Sequence, residues 1–176
     1  MGAPFTVNKN RFDPYKTSRF LVYFGDSTTP VVGVAKVGAL KRSCPAIEYE
    51  EGGNAIIIKG LGRMKYEAIT MERGLTYDTD FSDWANAAQV LDKGAPNQSL
   101  KNLRKEVTII LLNEEGQAVF RYFVHRCWVS EYQAMPDLDA NANAVAIEHI
   151  KLENEGFERD TSVTEPTEPT LSTVST

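Results

Sequence analysis

The chain is poor in the residues that carry chemistry. Its 176 residues include two histidines and two cysteines. Two cysteines cannot build a disulfide framework, and Cys44 and Cys127 form no C-x-x-C pair. Cys127 lies in an apolar run and reads as a small buried hydrophobe, while Cys44 precedes Pro45 and reads as a loop residue. A bridge between them is the minor alternative, since disulfides are rare in cytosolic proteins. His125 and His149 stand in separate expected strands with no second histidine at ligand spacing, so neither a metal nor a cofactor is expected. There is no G-x-S-x-G elbow and no H-E-x-x-H pair, so no catalytic residue is expected either. Gly60-Leu-Gly62-Arg-Met-Lys lacks the third glycine of a phosphate loop and precedes a strand, where such loops open a helix.

Long apolar runs and basic surplus are missing too. No stretch approaches the ~18 apolar residues of a membrane helix, so no membrane anchor is expected. The opening residues carry no apolar leader core. The expectation is a chain made and folded in a cytoplasm. The net charge is −5; Asp160, Glu165 and Glu168 in the last stretch account for three of these charges, leaving −2 for the rest. That is not the basic footprint of a nucleic-acid binder, so sequence-specific binding to nucleic acid is not expected.

What is present is strand. Arg19 to Phe24 is β-branched and aromatic and ends at Gly25-Asp26. Val31 to Leu40 is apolar with two glycines, which suggests a bulged or closely packed strand. Met64 to Arg73 reads as a strand ended by Gly74. Asp80 to Leu91 reads as a helix, with Phe81, Trp84, Ala88 and Leu91 on one face, a cap from Asp78, Thr79 or Asp80, and an end at Gly94 and Pro96. Trp84 is the expected core anchor. Val107 to Leu112, the turn Asn113 to Gln117 and Ala118 to Val129 form a hairpin, with Gly116 free to take a positive φ. Ala144 to Glu153 fits helix or strand; the Asn-rich loop before it and Glu155-Gly156 after it favour strand. In the long hairpin strand Phe120, Tyr122, Val124 and Trp128 alternate with Val119, Phe123, Cys127 and Val129, which makes both faces apolar. A lone antiparallel sheet usually keeps one face polar, so both faces are expected to be covered.

Two segments stand apart. Lys41 to Arg63 reads as a long irregular region that mixes Glu48, Glu50 and Glu51 with the triplet Ile56-Ile57-Ile58. Loops of this length are uncommon and usually functional, and an exposed isoleucine triplet suits a subunit that hands the loop to a neighbour. From Asp160 to Thr176 the chain is Thr/Ser/Pro-rich, lacks aromatics and cannot bury enough to order itself alone, so it reads as a flexible tail. One arrangement imitates a cation site. Asp137, Asp139, Asn141, Asn143 and Glu148 fall at positions 1, 3, 5, 7 and 12 of an EF-hand-like loop. Position 6 is Ala142 where that loop needs glycine, and the preceding run is strand, so an Asn/Asp turn is the preferred reading.

The ordered series Glu48-Tyr-Glu-Glu-Gly-Gly-Asn54, Gly60, Lys65-Tyr-Glu-Ala-Ile-Thr-Met-Glu-Arg-Gly74 and Asp80-Phe-Ser-Asp-Trp84 resembles the pattern of contractile-phage tail tube proteins. The hairpin and the closing segment from Asp139 to Arg159 continue it, so the resemblance covers residues 15–159. It implies a mainly β (α+β) fold of two packed antiparallel sheets, close to a small barrel, with one flanking helix and a long inter-subunit loop. The tube domain would be 1–159 and the tail 160–176. The family role is structural: a homo-hexameric ring that stacks into a tube, with a sheath protein around it, baseplate or hub and cap proteins at the ends, and effector cargo or DNA in the lumen. The loop bearing Glu48, Glu50, Glu51, Gly52, Gly53, Asn54, Ile56, Ile57 and Ile58 would be the contact between subunits and rings. Such a particle is assembled in a bacterial cytoplasm and is part of a virion tail or of a released, extracellular tail-like particle. The alternatives are an adaptor ring near the baseplate or cap, a type VI secretion tube protein, and a monomeric ligand-binding barrel; a strict monomer that binds a small ligand would favour the last.

Overall fold

The structure, a computed structural model, describes residues 5–9, 11, 13–49, 57–92, 103–141 and 143–168. Four antiparallel strands make a first sheet: β1 (Phe20–Phe24), β8 (Lys105–Leu112), the first part of β9 (Ala118–Gln133) and β11 (Gly156–Arg159). The second sheet runs from the far part of β9 through β10 (Ile147–Glu153) and β7 (Ile69–Gly74) to β2 (Val34–Val37). Among the described residues the strand path is open, ending at β1 and β2. The fold is thus two packed antiparallel sheets and not a closed barrel. β9 belongs to both sheets because it bends. Lys105 lies opposite Cys127 and Val107 opposite Val124, so one extra residue sits in β9, and Arg126 takes a φ of 51°. A bulge of this kind sharpens the twist and re-aims the side chains after it.

That bulge corrects the two-face reading of β9. Val124, Cys127 and Val129 all point into one core, although simple alternation puts Val124 on the opposite face from the other two. The core lies between the sheets and under the helix, with Val22, Val107, Ile69, Met71, Ile150 and Leu152 fully buried. The helix α1 (Asp80–Asp92) agrees with its periodicity: Phe81 and Trp84 are buried against Phe24. The Trp84 indole N–H donates to the Leu103 carbonyl at 2.8 Å, so the core anchor leaves no polar group unpaired. The start is capped as expected. The Asp80 amide donates to Asp78 Oδ1 (2.9 Å), the Asp83 amide to the Thr79 carbonyl (2.8 Å) and the Thr79 hydroxyl to Asp83 (2.8 Å). The side chain of Leu91, and Gly94 and Pro96, lie outside the described residues.

Other elements differ in their bounds. The apolar stretch 31–40 contributes only β2, whose register shifts between Val34 and Lys36. Gly38 then passes so close to the Thr70 backbone that a Cβ would meet it at 3.1 Å, which is the close packing its glycines suggested. Residues 64–73 split into a short β6 (Lys65–Tyr66) and β7. The largest correction concerns 41–63. This segment is not irregular throughout: β3 (Arg42–Ser43) pairs with β6, and β4 (Ala46–Tyr49) pairs with β5 (Ile58–Leu61). Alternating backbone groups thereby find partners even though the segment has no core of its own. Of residues 144–153, Ile147–Glu153 form a strand and 144–146 lie before it, and β11 adds a strand that composition did not reveal. Cys44 is exposed and Cys127 buried, both as free thiols, and burial pushes the Cys127 thiol up to about 12.

Candidate functional site

The β4–β5 ribbon stands on the outside of the sandwich. All of its residues are exposed, including Ile47, Tyr49, Ile58 and Leu61, the last at 89%. A two-stranded ribbon without a core is marginal by itself, and its open edges are templates for pairing. Ion pairs hold its shape: Lys59 Nζ to Glu48 at 3.2 Å across the ribbon, and Lys41 to Glu67 at 2.9 Å near its base. At the base Gly62 donates its amide to the Pro45 carbonyl (2.8 Å), so near that a Cβ would stand 2.3 Å from the oxygen. Of the residues the sequence singles out, Glu48 lies in β4, Ile58 in β5 opposite Tyr49, and Ile57 is exposed beside them. Glu50, Glu51, Gly52, Gly53, Asn54 and Ile56 lie outside the described residues.

A second apolar surface escapes the sequence reading. Leu75, Tyr77, Met135, Leu138, Val145 and Ile147 are exposed, Tyr77 completely and Leu138 at 75%. Leu75 and Ile147 stand where β7 ends and β10 begins, since Ile147 pairs with Gly74 and the Leu75 amide donates to the Ala146 carbonyl. Tyr77 follows in the connection that leaves β7, and Met135, Leu138 and Val145 lie in the connection from β9 to β10. The ribbon leaves the other end of the same sheet, from the end of β2 to the start of β7. The two apolar surfaces therefore occupy opposite ends of one set of strands. The signal was present in the sequence as hydrophobes inside an Asp/Asn-rich loop, yet their placement together depends on the β7–β10 register.

A buried ion pair fixes the second surface. Arg73 and Glu148 face each other in register, and Arg73 Nε donates to Glu148 Oε1 at 2.5 Å. Arg73 also donates to Asp78 Oδ1 (2.7 Å) and to the Asp78 carbonyl (2.6 Å), and its guanidinium lies 4.2 Å over the Phe81 ring. The Tyr132 hydroxyl donates to Glu148 Oε2 at 3.0 Å. The hydrogen bonds from the Asp80 amide and from Arg73 hold the Asp78 carboxyl below its usual range. Glu148, the twelfth position of the EF-hand-like spacing, is thus buried and paired with Arg73.

Residues 6–11 meet residues 165–168 beside the first sheet, where Tyr15 packs on Phe120. The Glu165 carboxylate accepts three successive backbone amides, from Thr6 (2.6 Å), Val7 (2.9 Å) and Asn8 (3.0 Å). Desolvation opposes its ionisation, but the Val7, Asn8 and Thr6 hydrogen bonds outweigh this and hold its pKa at about 2. Arg11 pairs with both Glu114 and Glu168 and stacks on Tyr15, which packs edge-on against Phe120. Within the expected tail, Glu165 and Glu168 make these contacts with the N-terminal segment.

The outward faces of the two sheets differ. That of the second sheet is polar: Thr70, Glu72, Lys36, Glu131, His149 and Lys151, with Lys36 paired to Glu72 (2.7 Å) and His149 to Glu131 (3.5 Å). That of the first carries Leu21, Tyr23, Ile110 and Phe123, half-buried by one another, with Thr108 and Arg121 among them.

The sequence profile of the T4-like virus tail tube protein gp19 matches residues 16–158. Three solved structures share the fold. One is the baseplate of the anti-feeding prophage, with 23% identity over 85% of this chain and 97% of that chain and a TM-score of 0.67. A second is the sheath-tube complex of the extracellular contractile injection system PVC in its extended state, with 25% identity over 84% and 91% and a TM-score of 0.68. The third is the tube-terminating cap of the anti-feeding prophage, with 24% identity over 85% and 93% and a TM-score of 0.70. No curated protein matches the chain in sequence.

Proposed function

This chain belongs to the T4-like virus tail tube protein gp19 family, and from that premise we propose that it forms stacked hexameric rings around a lumen. A tail tube protein of a contractile injection system is a structural protein, and this chain is not an enzyme. The observation that carries the stacking is the pair of exposed apolar surfaces at opposite ends of the second sheet. Surfaces of this kind mark interaction sites. Because the two surfaces are different, their union is heterologous and repeats, which builds rings or open stacks and not closed pairs. The ribbon with Glu48, Ile57 and Ile58, extended by Glu50, Glu51, Gly52, Gly53, Asn54 and Ile56, is the contact element.

The polar face with Thr70, Glu72, His149 and Lys151 is the lumen wall, since a water-filled conduit needs a hydrated lining. The face with Leu21, Tyr23, Ile110 and Phe123 is then directed outward, to a sheath protein. Baseplate and cap proteins close the ends of such a tube, and DNA or effector cargo passes along its lumen. Assembly takes place in the cytoplasm of a bacterium. An adaptor ring next to the baseplate or cap is the second reading. It is favoured by the segment 160–168, which lies beyond the family match and contacts the N-terminal segment through Glu165 and Glu168.

Negative-stain electron microscopy with light scattering on the same sample tests this. Rings or tubes with a central hole are the expected result. A species that stays monomeric at high concentration and with sheath and baseplate proteins added would refute it.

A further inference from the structure

At the base of the ribbon Ser43, Cys44, Pro45, Arg63, Met64 and Lys65 line an open pocket of about 460 Å³. Its floor is apolar and its rim is basic. Arg63 and Lys65 are exposed, and among the described residues neither they nor Arg42 has an ion-pair partner, whereas Lys41 and Lys59 are paired. At the opposite end of the second sheet the loop after β9 presents the reverse pattern. Leu138 is 75% exposed and stands between Asp137 and Asp139, both exposed and also without an ion-pair partner among the described residues. The Asp139 carboxylate accepts the Asn141 amide at 2.9 Å.

Resting on the stacking reading above, we propose that Leu138 of one copy seats in the Cys44–Met64 pocket of a second copy. Asp137 and Asp139 then meet Arg63 and Lys65. The occupant follows from three features: a projecting apolar side chain for an apolar floor, an acidic pair for a basic rim, and placement at opposite ends of the same strands. One copy cannot satisfy both halves within itself, so the union repeats from copy to copy. Charge complementarity of this kind fixes register and rejects wrong partners more than it adds affinity, which suits an assembly that must choose one stagger.

The pocket supplies its own reporter, because Cys44 is an exposed free thiol and Cys127 is buried. The experiment uses the full chain with Leu138→Cys, assembled and then mildly oxidised. A disulfide requires Cα atoms within about 7 Å, so it reports seating and not mere proximity. The expected result is a ladder of disulfide-linked multimers on a non-reducing gel, absent when Cys44→Ser is added and absent from the unsubstituted chain. In parallel, Asp137→Lys with Asp139→Lys, and separately Arg63→Glu with Lys65→Glu, should each lower the assembled fraction by about tenfold or more. Mixing the two charge-reversed chains, each soluble and folded by circular dichroism, should restore mixed assembly. Rings or tubes that form without the ladder and ignore the charge reversals would overturn this pairing and leave the tube reading standing. An unsubstituted chain that never assembles would remove both. A ladder that appears only when sheath, baseplate or cap proteins are absent would show that these proteins, and not a second copy, own the pocket.

Discussion

Arg73 and Glu148 lie directly opposite each other on adjacent strands, 2.5 Å apart, and neither reaches solvent. Arg73 carries the Asp78 contacts on its other side, and Tyr132 donates to the second Glu148 oxygen. The pair therefore ties β7, β10, β9 and the start of α1 to one another beneath the apolar surface formed by Leu75, Tyr77 and Ile147. Removing one member strands the other charge without water.

Arg73→Met should cost about 3–5 kcal/mol, the usual effect of leaving a buried charge unpaired. At roughly 2–4 °C per kcal/mol for a chain of this size, the melting temperature should fall by roughly 6–20 °C. Arg73→Met combined with Glu148→Leu should recover most of the loss. Thermal denaturation of the parent, the single and the double variant measures this, and a single variant as stable as the double would refute the account.

Glu165 should report on acid. Its pKa is depressed to about 2 in the folded chain, against about 4.3 when unfolded. The contribution is thus fully present above about pH 4.3 and is lost as pH falls toward 2. Amide shifts of Thr6, Val7 and Asn8 should stay constant down to about pH 3 and move together as pH falls toward 2. Glu165→Gln should move them at neutral pH, and its failure to do so would mean that the carboxylate does not hold the arm.

Gly62→Ala separates folding from assembly. The added Cβ meets the Pro45 carbonyl at 2.3 Å, and the obstruction is backbone that cannot swing away. The base of the ribbon must open, while the buried core is untouched. The expected outcome is a melting temperature within a few degrees of the parent and a loss of rings or tubes under the electron microscope.

Chemical accessibility distinguishes the two outward faces. In a Cys44→Ser background, His149→Cys should react with a bulky polymer-linked maleimide in free subunits and resist it in assembled tubes. Thr108→Cys, on the face with Ile110, should keep reacting in tubes that lack sheath. The reverse pattern would exchange the lumen and outer faces.

Periodicity and punctuation made most elements readable. α1 followed from Phe81 and Trp84 at helical spacing after Asp78 and Thr79, and the β8–β9 hairpin from two β-branched runs around Asn113 to Gln117. The ribbon of β4 and β5 has no sequence signature because none of its residues alternates between a buried and an exposed face; its strands are defined by pairing alone. The bulge at Arg126 has no compositional mark. Arginine is not a residue that favours a positive φ, so local preference opposes it and tertiary pairing imposes it.

By itself the sequence determined what this protein is made to be: a β-rich, chemistry-poor chain with a family pattern in the order Glu48, Gly52, Gly60, Arg73, Trp84. Those features depend on short-range rules, namely side-chain period, turn residues and the scarcity of histidine and cysteine. Only the tertiary structure decided which apolar residues are core and which are surface. Leu138 and Leu61 are the same residue type as the fully buried Leu152, and they differ only in where register and the β9 bend place them. Burial is a property of the whole set of strand pairings. The division of the surface into a basic-rimmed pocket at one end and an acidic, leucine-bearing loop at the other therefore could not be read until β7, β10 and β9 were aligned.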